Sequence, residues 1–125
     1  KKLNVFVCLF FLGIQNKIGS YLNLANIVVV SSHWEGFGRA AIEGMALTKP
    51  VIATNVPGLS EVVQGAGLLF EVGEEARLAE LILKLTNDID FYNKVAKSCY
   101  MRAKEYDIQK MIQEYENLYN KLMEK

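Results

Sequence analysis

Four short apolar runs, each cut off by glycine, proline or polar residues, constrain this chain more than any other feature. They occupy residues 4–12, 27–31, 51–54 and 67–70, and the second reads Ile27-Val28-Val29-Val30-Ser31. In each run apolar residues stand side by side rather than alternating with polar ones. A strand of that kind must be covered on both faces, which is the condition of a parallel sheet. Helix-permissive segments separate the runs, so the expected fold class is α/β, with about four parallel strands and helices on both faces.

The helical segments follow from spacing. Residues 17–25 place Ile18, Tyr21, Leu22 and Ala25 three and four apart, and residues 39–48 form a helix that Pro50 closes off. Ser60 is the expected cap of a brief helix through Val63. Three longer helices then complete the chain, at about 74–86, 88–105 and 107–124, the last two capped by Asp88 and Asp107. Leu78, Leu81, Ile82 and Leu85 share one face of the first. Met111, Ile112, Tyr115, Leu118, Tyr119 and Leu122 share one face of the last; core packing is the expectation for that stripe, and exposure of part of it is the alternative.

Composition sets limits. At 125 residues, 51% hydrophobic and 22% charged, the chain is long enough for one folded core. Lysine plus arginine equals aspartate plus glutamate, 14 each, which gives no support to nucleic-acid binding. Cys8 and Cys99 have no metal-ligand spacing and are expected to be buried free thiols in a reducing cytosol. Lys1-Lys2 and the apolar residues that follow imitate a signal peptide, but no small-residue cleavage site follows and the run has strand length. The first residue is lysine, so the chain is expected to be part of something longer.

The chemistry concentrates where the second run ends. Trp34-Glu35-Gly36-Phe37-Gly38-Arg39 joins that strand to the helix beginning near residue 39. The first N–H groups of a helix have no internal partner, and glycines let a ligand approach the main chain, so the segment suits a phosphate. A strand-to-helix turn that merely requires glycines fits it as well. Two carboxylates, Glu35 and Glu43, bracket the turn. Beside a phosphate they are electrostatically unfavourable, and accepting hydrogen bonds from paired sugar hydroxyls would give them a purpose. A solvated loop charge and a surface helix charge are the alternatives.

The run from Ala25 through Ser31-Ser32-His33-Trp34-Glu35-Gly36-Phe37-Gly38 resembles the C-terminal domain of family-4 retaining glycosyltransferases, as do Glu43-Gly44-Met45-Ala46, Pro50 to Thr54, Gly58-Leu59-Ser60-Glu61-Val62-Val63 and Gly67 to Phe70. The resemblance implies a partial GT-B C-terminal domain, Rossmann-like, with a helical C-terminus. It makes Glu35 the candidate catalytic residue, contacting hydroxyls of the donor sugar, and gives Glu43 the nucleotide ribose. Main-chain N–H groups around Gly36, Phe37, Gly38 and Arg39 would hold the sugar and diphosphate, and Ile14 would meet the base. The donor is then a nucleoside-diphosphate sugar carrying a hexose, with no obligatory metal or other cofactor. The setting is cytoplasmic, at the inner face of a membrane where the longer protein associates with one, in polysaccharide or glycolipid assembly.

The departures from the family pattern count equally. Two strand–helix units, the first bearing an Arg and a Lys for the diphosphate, have no match, nor does the N-terminal acceptor domain. The chain is therefore expected to be inactive alone. A truncated module serving protein contacts, and another GT-B member such as a nucleotide-sugar epimerase, are the competing readings. His33 is expected to pack near Trp34, with a catalytic base as the alternative, and Trp34 to anchor the loop, with a sugar-stacking platform as the alternative; Arg39 is expected to be an exposed first-turn residue or a cation for the diphosphate, and Glu61 to orient the neighbouring loop or cap its helix.

Overall fold

The computed structural model describes residues 10–123. In chain order its elements are α1 (Ile18–Leu24), β1 (Val28–Val30), α2 (Arg39–Ala46), β2 (Val51–Thr54), α3 (Leu59–Val63), β3 (Leu68–Phe70), α4 (Glu75–Asn87), α5 (Ile89–Ala103), a 3-10 turn (Lys104–Tyr106) and α6 (Ile108–Met123). The strands form one parallel sheet in the order β1-β2-β3. Val28 stands beside Val51 and Ile52 beside Leu68. The expected run at 4–12 lies mostly outside the described residues. Its end does not extend the sheet, for Phe10, Phe11 and Leu12 are exposed and carry no strand.

Valines and isoleucines at consecutive positions make β2 the central strand. Val51, Ile52 and Ala53 are all fully buried. Because neighbouring strand residues point to opposite faces, β2 is covered on both. At β1 the cover is one-sided: Val28 is buried, while Val29 is 40% exposed. Helix α2 supplies the cover over Val28. A Cβ built on Gly44 would lie 3.0 Å from a Val28 methyl, so a glycine lets the helix sit directly on the strand. Met45 beside it is fully buried.

The outer helices close the core with the residues their spacing singles out. Leu81 and Leu85 of α4 are buried, with Leu78 and Ile82 packed against the core. Asp88 caps α5, its carboxylate accepting from the Phe91 N–H at 2.9 Å. Val95, Ala96 and Cys99 are the buried face of α5. From the same helix the Tyr92 hydroxyl donates to the Asn26 carbonyl at 2.7 Å, tying α5 to the chain just ahead of β1.

Two expectations are corrected. Ser60 is not the cap of α3: the helix opens one residue earlier, at Leu59, with Gly58 before it at φ 84° and no side-chain cap bond. Helix α6 is not core. None of its described residues is buried, and its apolar stripe lies open, with Tyr115 and Tyr119 stacked 6.5 Å apart along it. A stripe at helical spacing shows that something covers it, not that this chain does. Among the described residues no helix is long and apolar enough to cross a membrane.

Candidate functional site

Strand β1 delivers the chain to the sheet's carboxyl edge, where ligands bind in parallel α/β sheets. Its exit is held from β2. Thr54, the last residue of β2, is 3% exposed, and its hydroxyl donates to the Ser32 carbonyl at 2.5 Å. The turn that follows ends in Gly38 at φ 80°, ψ 35°, a left-handed conformation that glycine adopts without the penalty of a Cβ. Helix α2 starts at the next residue. The Gly38 carbonyl accepts from the N–H groups of Ala41 and Ile42 at 3.0 and 3.2 Å. The main-chain N–H groups of Phe37, Gly38, Arg39 and Ala40 have no acceptor among the described residues. Four donors therefore gather at a helix N-terminus, where the helix dipole adds positive potential.

A second turn braces the first. Gly58, at φ 84°, backs directly onto the main chain of Glu35 and Gly36. A Cβ there would lie 2.5 Å from the Glu35 carbonyl oxygen and 3.0 Å from the Gly36 carbonyl carbon. Leu59 beside it is fully buried and approaches Gly38, with its Cδ2 3.1 Å from where a Gly38 Cβ would stand. The sequence reading placed these segments in one family pattern but did not connect them. Their contact has no local signal, since more than twenty residues separate the turns.

The two carboxylates stand at the turn as separate groups. Glu35 is half-buried, and its Oε1 accepts from the Gly36 N–H at 3.1 Å, which folds the carboxylate onto its own turn. Glu43 lies one helical turn beyond Arg39 and pairs with it, Nη2 to Oε1, at 3.6 Å. Arg39 is the exposed residue expected, its side chain 83% open. Gly36 has nothing within 4 Å of a built Cβ, which leaves space over the middle of the turn. Ile14 is 99% exposed in the segment leading to α1 and is absent from the cleft at Glu43. Trp34 is 82% exposed, so it does not pack as a loop anchor, and His33 is exposed beside it. Glu61 is exposed in the first turn of α3 and makes no cap bond.

Sequence reasoning missed the other wall of the site. A cleft of about 540 Å³ opens beside α2, lined by Phe37, Arg39, Glu43, Tyr106, Ile108 and Met111 among others. Tyr106 meets Phe37 edge to face, with ring centroids 5.9 Å apart and planes at 79°. The signal for it was thin: one aromatic just before the Asp107 that begins α6. Among the described residues no group of three His, Cys, Asp or Glu side chains is placed to hold a metal ion.

A parallel α/β sheet with a glycine turn, free helix amides and flanking carboxylates at its carboxyl edge places these groups where sheets of this class bind ligands. The family model for glycosyl transferases group 1 matches residues 1–117, and the chain belongs to that family. Its matches fall on the C-terminal part of glycosyltransferases with the GT-B fold. The chain is 35% identical over 109 residues to the glycosyltransferase MJ1178 of Methanocaldococcus jannaschii, covering 86% of this chain and 31% of that protein. It is 38% identical over 104 residues to the capsular polysaccharide biosynthesis glycosyltransferase CapM of Staphylococcus aureus, covering 81% and 27%. Among solved structures it is similar to Anabaena Alr3699/HepE in complex with UDP and glucose, with a TM-score of 0.81 and 27% identity, covering 90% of this chain and 32% of that one. The chain thus spans about a third of the length of the curated relatives it matches.

Proposed function

We infer that this chain is the donor-binding part of a retaining glycosyltransferase that moves a hexose from a nucleoside-diphosphate sugar. The observation that carries the reading is the turn itself: four unpartnered N–H groups at the mouth of α2, open space over Gly36, and a carboxylate on either side. The amides of Phe37 to Ala40 take the diphosphate. As the glycosidic bond breaks, negative charge grows on the leaving diphosphate, and fixed dipoles already aimed there stabilise it without reorganising. Glu35 exchanges its bond to the Gly36 N–H for the hydroxyls of the transferred sugar. Glu43 takes the ribose hydroxyls, with Arg39 left beside the phosphates. The similarity to a structure holding UDP and glucose supports this class of donor.

The chain spans about a third of the length of its curated relatives, and transfer is the activity of a protein of their length. The chain alone binds donor and does not turn it over. No obligatory metal enters the reading. The likeness to CapM supports polysaccharide assembly as the setting.

Titration with UDP, UDP-glucose and GDP, followed by calorimetry and amide NMR, tests the reading. Saturating nucleotide should shift the resonances of residues 35–43. Glu43→Ala should weaken binding by about tenfold or more, as expected when a hydrogen bond to a charged group worth ~1.5–3 kcal/mol is lost. Gly36→Ala should keep the stability of the parent yet bind poorly, because its methyl occupies the ligand's space rather than the protein's. A chain that no nucleotide perturbs at residues 35–43 would remove the reading. The open apolar stripe of α6 favours the second one, a module serving protein contacts, and that module would be indifferent to all three nucleotides.

A further inference from the structure

The glycine turn contains little that can hold it still. Between Glu35 and Arg39 the only side chain is that of Phe37, flanked by Gly36 and Gly38. Gly36 touches nothing within 4 Å of its built Cβ, and the Glu35 carboxylate bonds only to the adjacent amide. Gly58 backs the first half of the turn, at Glu35 and Gly36. The second half, which carries the free donors, is backed by Leu59 at Gly38, and the one side chain of its own is the ring of Phe37, whose edge-to-face partner is Tyr106.

Tyr106 is well placed to be a fixed point. It ends the 3-10 turn after α5 and is itself packed against the hydrophobic core. The turn before it is tied down: Arg102 donates to the Gln64 carbonyl at 2.8 Å and pairs with Glu105 at 3.0 Å. One ring therefore faces the core at one side and the donor turn at the other. Edge-to-face geometry is directional, because the positive ring edge seeks the negative face of its partner. It restricts where the Phe37 ring, and with it the adjoining peptide groups, can lie.

We propose that Tyr106 is a positioning residue for the donor turn, holding the Phe37–Gly38 amides in place through the Phe37 ring. The proposal rests on the reading of that turn as the diphosphate site, and it concerns a residue outside the turn and remote from it in sequence. Its prediction is specific to the ring. Tyr106→Phe keeps the edge and should match the parent. Tyr106→Leu keeps the apolar bulk and should weaken UDP binding roughly two- to tenfold, the range that an aromatic pair contributes.

The decisive measurement needs no ligand. In the free protein, 15N relaxation should show Phe37 and Gly38 losing order in Tyr106→Leu while the rest of α2 is unchanged, with Tyr106→Phe restoring the parent's values. A cooperative thermal melt of each variant confirms folding. If Tyr106→Leu does not fold, Phe37→Leu removes the same contact from the turn's side and should give the same loss of order at Gly38. Where both variants fold, the double variant should be no worse than either single one. A folded variant lacking the ring contact with unchanged order at residues 37 and 38 overturns the proposal, as do losses that simply add. A parent that binds no UDP would instead remove the donor reading, and the relaxation arm would still decide whether Tyr106 holds the turn.

Discussion

Replacing Gly58 with alanine should damage the chain more than its small size suggests, and the structure states why. Two costs combine. At φ 84° a residue with a Cβ is strained, at about 1–3 kcal/mol. The new methyl would also lie 2.5 Å from the Glu35 carbonyl oxygen, a backbone atom that moves only if the donor turn moves with it. Forced overpacking of this kind costs roughly another 1–3 kcal/mol. Against these, alanine lowers the entropy of the unfolded chain, a gain of about 0.4–1 kcal/mol. The net expectation is a loss of about 1–5.5 kcal/mol, against a total stability of about 5–15 kcal/mol for a domain. In urea unfolding, with a slope near ~2 kcal/mol per molar, the midpoint should fall by roughly 0.5–2.8 M. Gly73 is the internal control: it has a similar φ of 87° but nothing within 4 Å of its built Cβ, so Gly73→Ala carries the torsional cost alone. Equal midpoints for Gly58→Ala and Gly73→Ala would refute the claim that the second turn bears on the first.

Three further outcomes are expected. Thr54→Val leaves the Ser32 carbonyl without its partner and should cost about 1–2 kcal/mol, lowering Tm by roughly 3–8 °C in calorimetry; an unchanged Tm would count against the role of this bond in holding the exit of β1. Burial pushes the Cys99 thiol above its ordinary value, partly offset by a hydrogen bond with the Val51 backbone. The unfolded chain then releases the thiol proton first, so stability should fall as pH rises above about 8.5. Comparing Cys99→Ala with its parent in a Cys8→Ser background should show that part of the alkaline decline missing from Cys99→Ala, and parallel curves would disprove it. Arg39→Ala breaks only an exposed pair and should change stability by less than about 1 kcal/mol in thermal melts; a larger loss would mean that the pair supports the helix.

Legibility in the sequence followed the range of the interaction. Strands β1, β2 and β3 could be read because apolar residues stand at consecutive positions in each, although only β2 is buried along its whole length. Asp88 could be read as a cap because it bonds only three residues away, at Phe91. The turn and its two carboxylates were legible because strand, glycines, helix and charges follow one another directly. Trp34 was misjudged, since an aromatic in a loop gives no local sign of whether a neighbour will cover it. The stripe of α6 could not be decided for the same reason: its spacing suits burial, exposure was the alternative, and nothing among the described residues buries it.

By itself the sequence determined the local devices of this protein: short buried strands, helix boundaries, and a glycine turn at a helix mouth between two carboxylates. Each depends on residues a few positions apart, so the order of the chain carries the physics. The tertiary structure alone decided how the mouth is held. It brought Gly58 against Glu35 and Gly36, the Thr54 hydroxyl to the Ser32 carbonyl, and Tyr106 to the ring of Phe37. Those contacts join segments about 20 to 70 residues apart. They exist because packing a parallel sheet gathers the ends of its strands and the start of the last helix at one edge.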